Sequence, residues 1–211
     1  RYHEEHVERQ PHTTPAPHYL ILMNTPERSF GSNQVDLGGM ISPVSAMAKS
    51  SATVTAAIEN ATAAMNVVAA TVRLATADEV VLTDHEYGAV GRIWQRACQQ
   101  AGAADPVTAR LPARIESVAQ LVDALFAAVT PRPRLLVVSH ITSATAVTFP
   151  VAEICQQAQA RGIAVCVDGP HAPGQVPVAL DALGCDFYTA SLHKWFSAPL
   201  GSGFVYVAPA W

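Results

Sequence analysis

Short apolar runs alternate with stretches of helical period along most of this chain, and that alternation constrains its fold more than any other feature. Val80–Leu82, Leu135–Val138, Ala164–Val167 and Phe187–Ala190 are each dominated by apolar and aromatic residues and each stops abruptly at polar ones. A strand with one wet face alternates apolar and polar residues, whereas near-continuous runs belong to strands covered on both faces. Between the runs the period changes. Val118, Leu121, Val122 and Leu125 recur at i, i+3, i+4 and i+7, Val151, Ile154, Cys155 and Ala158 repeat that spacing, and Gly162 closes the second helix. Arg92–Gln100 is also helical, and Val54–Ile58, Pro106–Ala109 and Phe204–Val207 supply further strands. The pattern predicts an α/β fold with right-handed crossovers and a mostly parallel sheet flanked by helices. Half of the 211 residues are hydrophobic and only 14% are charged, which suits one well-filled core. Residues 1–40, which open on a His- and Pro-rich polar stretch, read as an N-terminal arm, and residues 41–211 as the domain.

In such a sheet, ligands collect at the carboxyl ends of the strands. The apolar run Ala164–Val167 ends in Asp168, and Phe187–Ala190 ends in Ser191, His193 and Lys194, so one carboxylate and one amine are expected to share a crevice. A lysine that forms a Schiff base needs desolvation or a cationic neighbour to lower its pKa, and a pyridine nitrogen that must stay protonated needs a buried carboxylate. Asp168 and Lys194 fit those roles. The alternative is that Asp168 caps a loop and Lys194 is a solvated charge. Two more polar clusters sit at strand ends, Thr83–Tyr87 and Ser139–Ser143. At Asn60–Asn66 a strand turns through small residues into a helix, which offers free backbone amides and the positive end of a dipole as a seat for a phosphate.

The segment VDGPHAPGQVPVALDALGCDFYTASLHKWFSAPLGSGFVYV resembles the pyridoxal-phosphate (PLP) segment of the class V aminotransferase superfamily, within fold type I, in the isopenicillin N epimerase-like branch related to the cysteine desulfurases. The resemblance implies the large domain of a fold type I PLP-dependent transferase, with a seven-stranded sheet whose last strand, Phe204–Val207, runs antiparallel to the rest. It implies that Lys194 carries the Schiff base, that Asp168 pairs with the pyridinium nitrogen, that His171 lies near the phenolic oxygen, and that Ser191 and His193 bind the phosphate. NATAAMN resembles the family's phosphate-binding turn, which adds Thr62 and the amide of Ala63. The ring that stacks on the cofactor is expected to be His85, with Tyr87 the alternative. Ser139–Ser143 resembles the family's SHITS loop, and Ser143 falls where many relatives carry an asparagine, so its hydroxyl is expected at the cofactor while His140 packs. Ser29, Phe30 and Gly31 echo a turn of the family's N-terminal arm.

The implied activity is that of a PLP enzyme acting on an amino acid as a homodimer: an epimerase, transaminase or lyase, cysteine desulfurase and C–S lyase chemistry included. The other reading is a truncated PLP-fold domain without turnover that serves a structural or dimer-forming role. It arises because the family's smaller C-terminal domain, which supplies the arginine for the substrate carboxylate, is absent from these 211 residues. A formal net charge of -4 without a long basic run argues against nucleic acid as a partner. No run reaches the ~18 apolar residues that span a bilayer, and a cytoplasmic location is expected. Cys98, Cys155, Cys166 and Cys185 stand apart, without metal-ligand spacing, and read as buried thiols. HEEH, at His3–His6, lacks the spacing that would put two histidines on a zinc, and no metal is expected. Nothing matches GxGxxG after a strand, a Walker loop or a GxSxG elbow.

Overall fold

The computed structural model describes residues 54–211. The arm at 1–40, the Ser29–Gly31 turn and the first residues of the expected domain lie outside the described residues. From Val54 onward the elements run β1 (Val54–Ile58), α1 (Ala61–Thr71), β2 (Glu79–Thr83), α2 (Gly88–Ala101), β3 (Val107–Ala109) and α3 (Val118–Ala127). They continue with β4 (Pro133–Ser139), α4 (Val151–Gln159), β5 (Ala164–Asp168), α5 (Leu180–Leu183), β6 (Phe187–Ser191) and β7 (Gly203–Val207).

The strands form one seven-stranded sheet in the order β1-β7-β6-β5-β4-β2-β3. Pairs β2–β3, β2–β4, β4–β5 and β5–β6 are parallel, and β7 is antiparallel to both β6 and β1. The last strand is therefore the reversed one, as expected, and the others share one direction. Their carboxyl ends form a single rim.

Side chains of successive residues leave a strand on opposite faces. Val80, Leu82, Leu135, Val137, Cys166 and Phe187 point to one side, where Met65 and Val68 of α1 and Trp94 and Cys98 of α2 meet them. Val81, Leu136, Val138, Val165, Val167 and Tyr188 point to the other, against Leu121 and Leu125 of α3 and Ile154 and Cys155 of α4. Two buried faces explain why the strand sequences are continuous apolar runs. Full burial of each large aliphatic side chain contributes about 1.5–3 kcal/mol. Trp94 is wholly enclosed, and its indole N–H lies 3.3 Å from Met65 Sδ, which ties α2 to α1. All four cysteines are buried and free, and burial pushes their thiol pKa values up, so they pack as hydrophobes.

Local capping sets the helix ends. Asn60 Oδ1 accepts from the Ala63 amide at 2.9 Å to start α1, Ser117 Oγ accepts from Gln120 to start α3, and Gly102 ends α2 in the left-handed conformation. Val118, read as a core position, is instead exposed at the first residue of α3. The four-residue α5 is too short to show a period in sequence. No helix among the described residues is long and apolar enough to cross a membrane.

Candidate functional site

The rim of strand ends carries a cleft of about 450 Å³. Its walls come from four places in sequence: Asn60–Ala63 at the start of α1, Tyr87 and Val90 at the start of α2, Asp168 and Pro170 after β5, and Ser191, His193 and Lys194 after β6.

Asp168 closes β5 and is 4% exposed. Its Oδ1 accepts from Thr189 Oγ1 at 2.9 Å, the neighbouring residue in the β5–β6 register. Burial lifts its pKa from 3.8 to about 6, against the opposing effects of the Thr189 bond and the Lys194 charge. Lys194 feels the reverse: desolvation lowers its amine pKa, and the Asp168 charge resists the fall. Its Nζ lies 3.0 Å from His171 Nε2, and the Trp195 indole N–H donates to His171 Nδ1 at 3.0 Å.

The backbone next to Asp168 has no room for a side chain. A Cβ on Gly169 would stand 2.1 Å from Tyr188 Cζ, so the DG pair is needed to let the buried tyrosine cross beneath the loop. The Tyr188 hydroxyl bonds His140 Nδ1 at 2.8 Å, and burial drops the His140 pKa to about 4, so that ring is neutral and packs, as expected.

At the other wall, Ser191 Oγ accepts from the Ala61 amide at 2.8 Å, joining the end of β6 to the start of α1. The Ala63 amide, expected at the phosphate, is engaged by the Asn60 cap. Thr62 lies on the cleft wall between them. His193 Nδ1 is buried and has no hydrogen-bond partner among the described residues. A buried polar atom left unpaired costs about 1–3 kcal/mol, so this nitrogen at a polar wall is a natural contact for a ligand oxygen.

Thr62, Ala63, Asp168, Ser191, His193 and Lys194 thus meet at one cleft, with His171 on the Lys194 amine. His85 and Ser143 are not among its lining residues. The His85 ring turns to Thr145, with Nδ1 3.0 Å from Thr145 Oγ1, and Ser143 is exposed on the loop after β4. The ring on the cleft wall is Tyr87, the alternative, half exposed there.

Two further residues were not singled out in sequence. Glu86 sends its carboxylate inward to accept from the Ser139 amide at 3.1 Å, Ser139 Oγ at 2.6 Å and Thr83 Oγ1 at 2.7 Å. Burial raises its pKa from 4.5 to about 7 despite those donors, and the Asp168 charge adds to the rise. It clamps the ends of β2 and β4, strands that a helix–strand–helix excursion separates in sequence. Trp195 is the other, adjacent to Lys194 but recognisable only through its bond to His171.

The family model for aminotransferase class V matches residues 46–210. Isopenicillin N epimerase of Streptomyces clavuligerus is 43% identical over 71% of this chain and 37% of its own length. A probable cysteine desulfurase of Xylella fastidiosa is 34% identical over 62% of this chain and 30% of its own. Among solved structures, the cysteine desulfurase CsdA (S-sulfonic acid) from Escherichia coli superposes with a TM-score of 0.65 and 30% identity, over 73% of this chain and 38% of that one. A C-DES mutant with glycine covalently linked to its PLP cofactor superposes at 0.64 with 25% identity, over 73% and 40%. The chain spans a little over a third of the length of the first of these relatives. With its model matched almost from end to end of the described residues, the chain belongs to the aminotransferase class V family, whose cofactor is pyridoxal 5'-phosphate.

Proposed function

We propose that this chain carries the cofactor-holding half of a PLP enzyme that acts on the α carbon of an amino acid, with Lys194 as the attachment point. The observation that carries the reading is a desolvated amine and a buried carboxylate facing one cleft at the parallel strand ends. The unpaired Nδ1 of His193, beside Ser191 and the first turn of α1, fits a phosphate; the enclosed Asp168 fits a protonated ring nitrogen.

When bound, PLP supplies an electron sink for the charge left at the amino acid's α carbon. The chain's own residues do the rest. Asp168 holds a proton at the pyridine nitrogen, because a buried carboxylate opposite that nitrogen is stabilised only by a positive partner. Thr62 and His193 hold the phosphate, and Ser191 keeps the first turn of α1 in place for it. Tyr87 offers a ring for stacking on the cofactor, in place of His85. Once Lys194 no longer accepts from it, the single N–H of His171 would donate to the phenolic oxygen. Lys194, whose amine is desolvated at the cleft, would take and return a proton at the α carbon.

No arginine lines the cleft among the described residues, so these residues leave the substrate carboxylate without a cationic partner. Similarity to isopenicillin N epimerase favours epimerisation, and the cysteine desulfurase likeness keeps C–S bond cleavage as the second reading. The test is to mix the chain with PLP, desalt, record the visible spectrum, reduce with borohydride and map the modified peptide. A visible band and a label on Lys194, both lost in Lys194→Ala, are expected. A label elsewhere, or a band that survives in Lys194→Ala, overturns the assignment.

A further inference from the structure

We propose that Trp195 is a positioning residue: its indole N–H fixes His171 as the neutral tautomer protonated at Nε2, which turns the imidazole N–H onto the Lys194 amine. An indole nitrogen carries one hydrogen and cannot accept, so in the 3.0 Å contact between Trp195 Nε1 and His171 Nδ1 the histidine nitrogen is the acceptor. Nδ1 is then bare. A neutral imidazole has a single N–H, which must sit on Nε2, and an imidazolium would set two N–H groups against each other at Nδ1. The Nε2 atom is 3.0 Å from Lys194 Nζ. A hydrogen bond there has the imidazole donating, and Lys194 can accept only as the free amine, since an ammonium has no lone pair.

The groups around this pair agree. His171 is pushed towards neutrality by burial and then by the Lys194 charge; Lys194 is pushed the same way by burial, with Asp168 as its counterweight. The backbone holds the relay together. Gly174 has φ +88 and its Cβ would stand 2.8 Å from the Trp195 carbonyl oxygen, so the turn after His171 rests directly on the residue that orients it. Before cofactor binds, the amine is thus kept as a nucleophile able to attack an aldehyde carbon. This last consequence rests on the PLP reading above; the tautomer does not.

The test uses the cofactor-free chain with 15N-labelled histidine, His171→Gln identifying the His171 signals. Long-range proton–nitrogen correlation at neutral pH is expected to give a pyridine-type Nδ1 and a pyrrole-type Nε2. In Trp195→Phe, which keeps an aromatic ring on an exposed site, the two shifts should move towards each other as the tautomers mix. Borohydride trapping of PLP on Lys194 at pH 7 should slow by about tenfold in that variant, because less of the amine stays unprotonated. A protonated Nδ1 in the unmutated chain, or an unchanged pattern in Trp195→Phe, overturns the proposal. Failure of the unmutated chain to trap PLP on Lys194 would instead sink the PLP reading and leave the tautomer measurement standing.

Discussion

Asp168 makes the cofactor-free chain less stable as the solution becomes less acidic, the reverse of the usual carboxylate. Its carboxyl titrates near 3.8 when unfolded and at about 6 when folded. Between those values the folded chain keeps a proton that the unfolded chain has lost, so each rise in pH favours unfolding. Below 3.8 both states are protonated and the group costs nothing; above 6 both are ionised and the full penalty is present. The gap is about two pH units, which at about 1.4 kcal/mol per unit gives a penalty of about 3 kcal/mol at neutral pH. Asp168→Asn removes the titration and keeps an oxygen to accept from Thr189, so the network survives the change.

The assay is urea denaturation of both proteins, without PLP, from pH 4 to 7.5. The variant should gain on the unmutated chain between pH 4 and about 6 and then hold a constant lead of about 3 kcal/mol up to pH 7.5. Glu86 titrates in the same direction, from 4.5 towards about 7, and is raised in part by the Asp168 charge, so both proteins keep a residual downward slope and their difference reports Asp168 together with its coupling to Glu86. Parallel curves would refute the reasoning. On the proposed pairing of Asp168 with the ring nitrogen of PLP, binding should flatten the slope of the unmutated chain while leaving that of Asp168→Asn as it was.

Two further outcomes are expected. Gly169→Ala drives a methyl into the Tyr188 ring and strains its hydrogen bond to His140, a loss of about 2–5 kcal/mol in urea melts; in a Tyr188→Ala background the same change should cost far less, and equal costs in both would contradict the close approach. Tyr87→Leu should weaken PLP binding measured by fluorescence titration while His85→Ala leaves it within about twofold, since only Tyr87 lines the cleft; the opposite ranking would return the stacking role to His85.

The sheet was legible because its strands are buried on both faces: runs such as Leu135–Val138 admit few other placements, and each polar residue that ends a run falls on the rim. The placement of Asp168 and Lys194 at one cleft was legible for that reason. Which side chain of a strand-end cluster faces the cleft is a different kind of information. His85 and Tyr87 are two residues apart, and the turn between β2 and α2, together with the pull of Thr145 on the imidazole, decides between them. Glu86 was hidden because its partners belong to β4, and adjacency of β2 to β4 follows from the sheet order and not from sequence neighbourhood. Val118 had the right spacing for the core but opens α3 and is exposed there, and period alone does not tell which turns of a helix are covered.

The polar groups at the rim divide into those that hold one another and those that do not. Ser191 carries a hydroxyl suited to a phosphate, but that hydroxyl is occupied by the Ala61 amide, just as the Ala63 amide is occupied by Asn60. Such bonds cost the site donors and return geometry: they pin the first turn of α1 to the end of β6, two elements 130 residues apart in sequence, within reach of one small ligand. Among the described residues, His193 Nδ1 is buried and unpaired beside that junction, and Asp168 is enclosed without a salt-bridge partner. Each of the two carries a cost on its own, and on the proposed PLP reading each would meet a different end of the same flat, phosphate-bearing molecule. On that reading the two costs kept at the rim are the preorganisation of the cleft for its ligand.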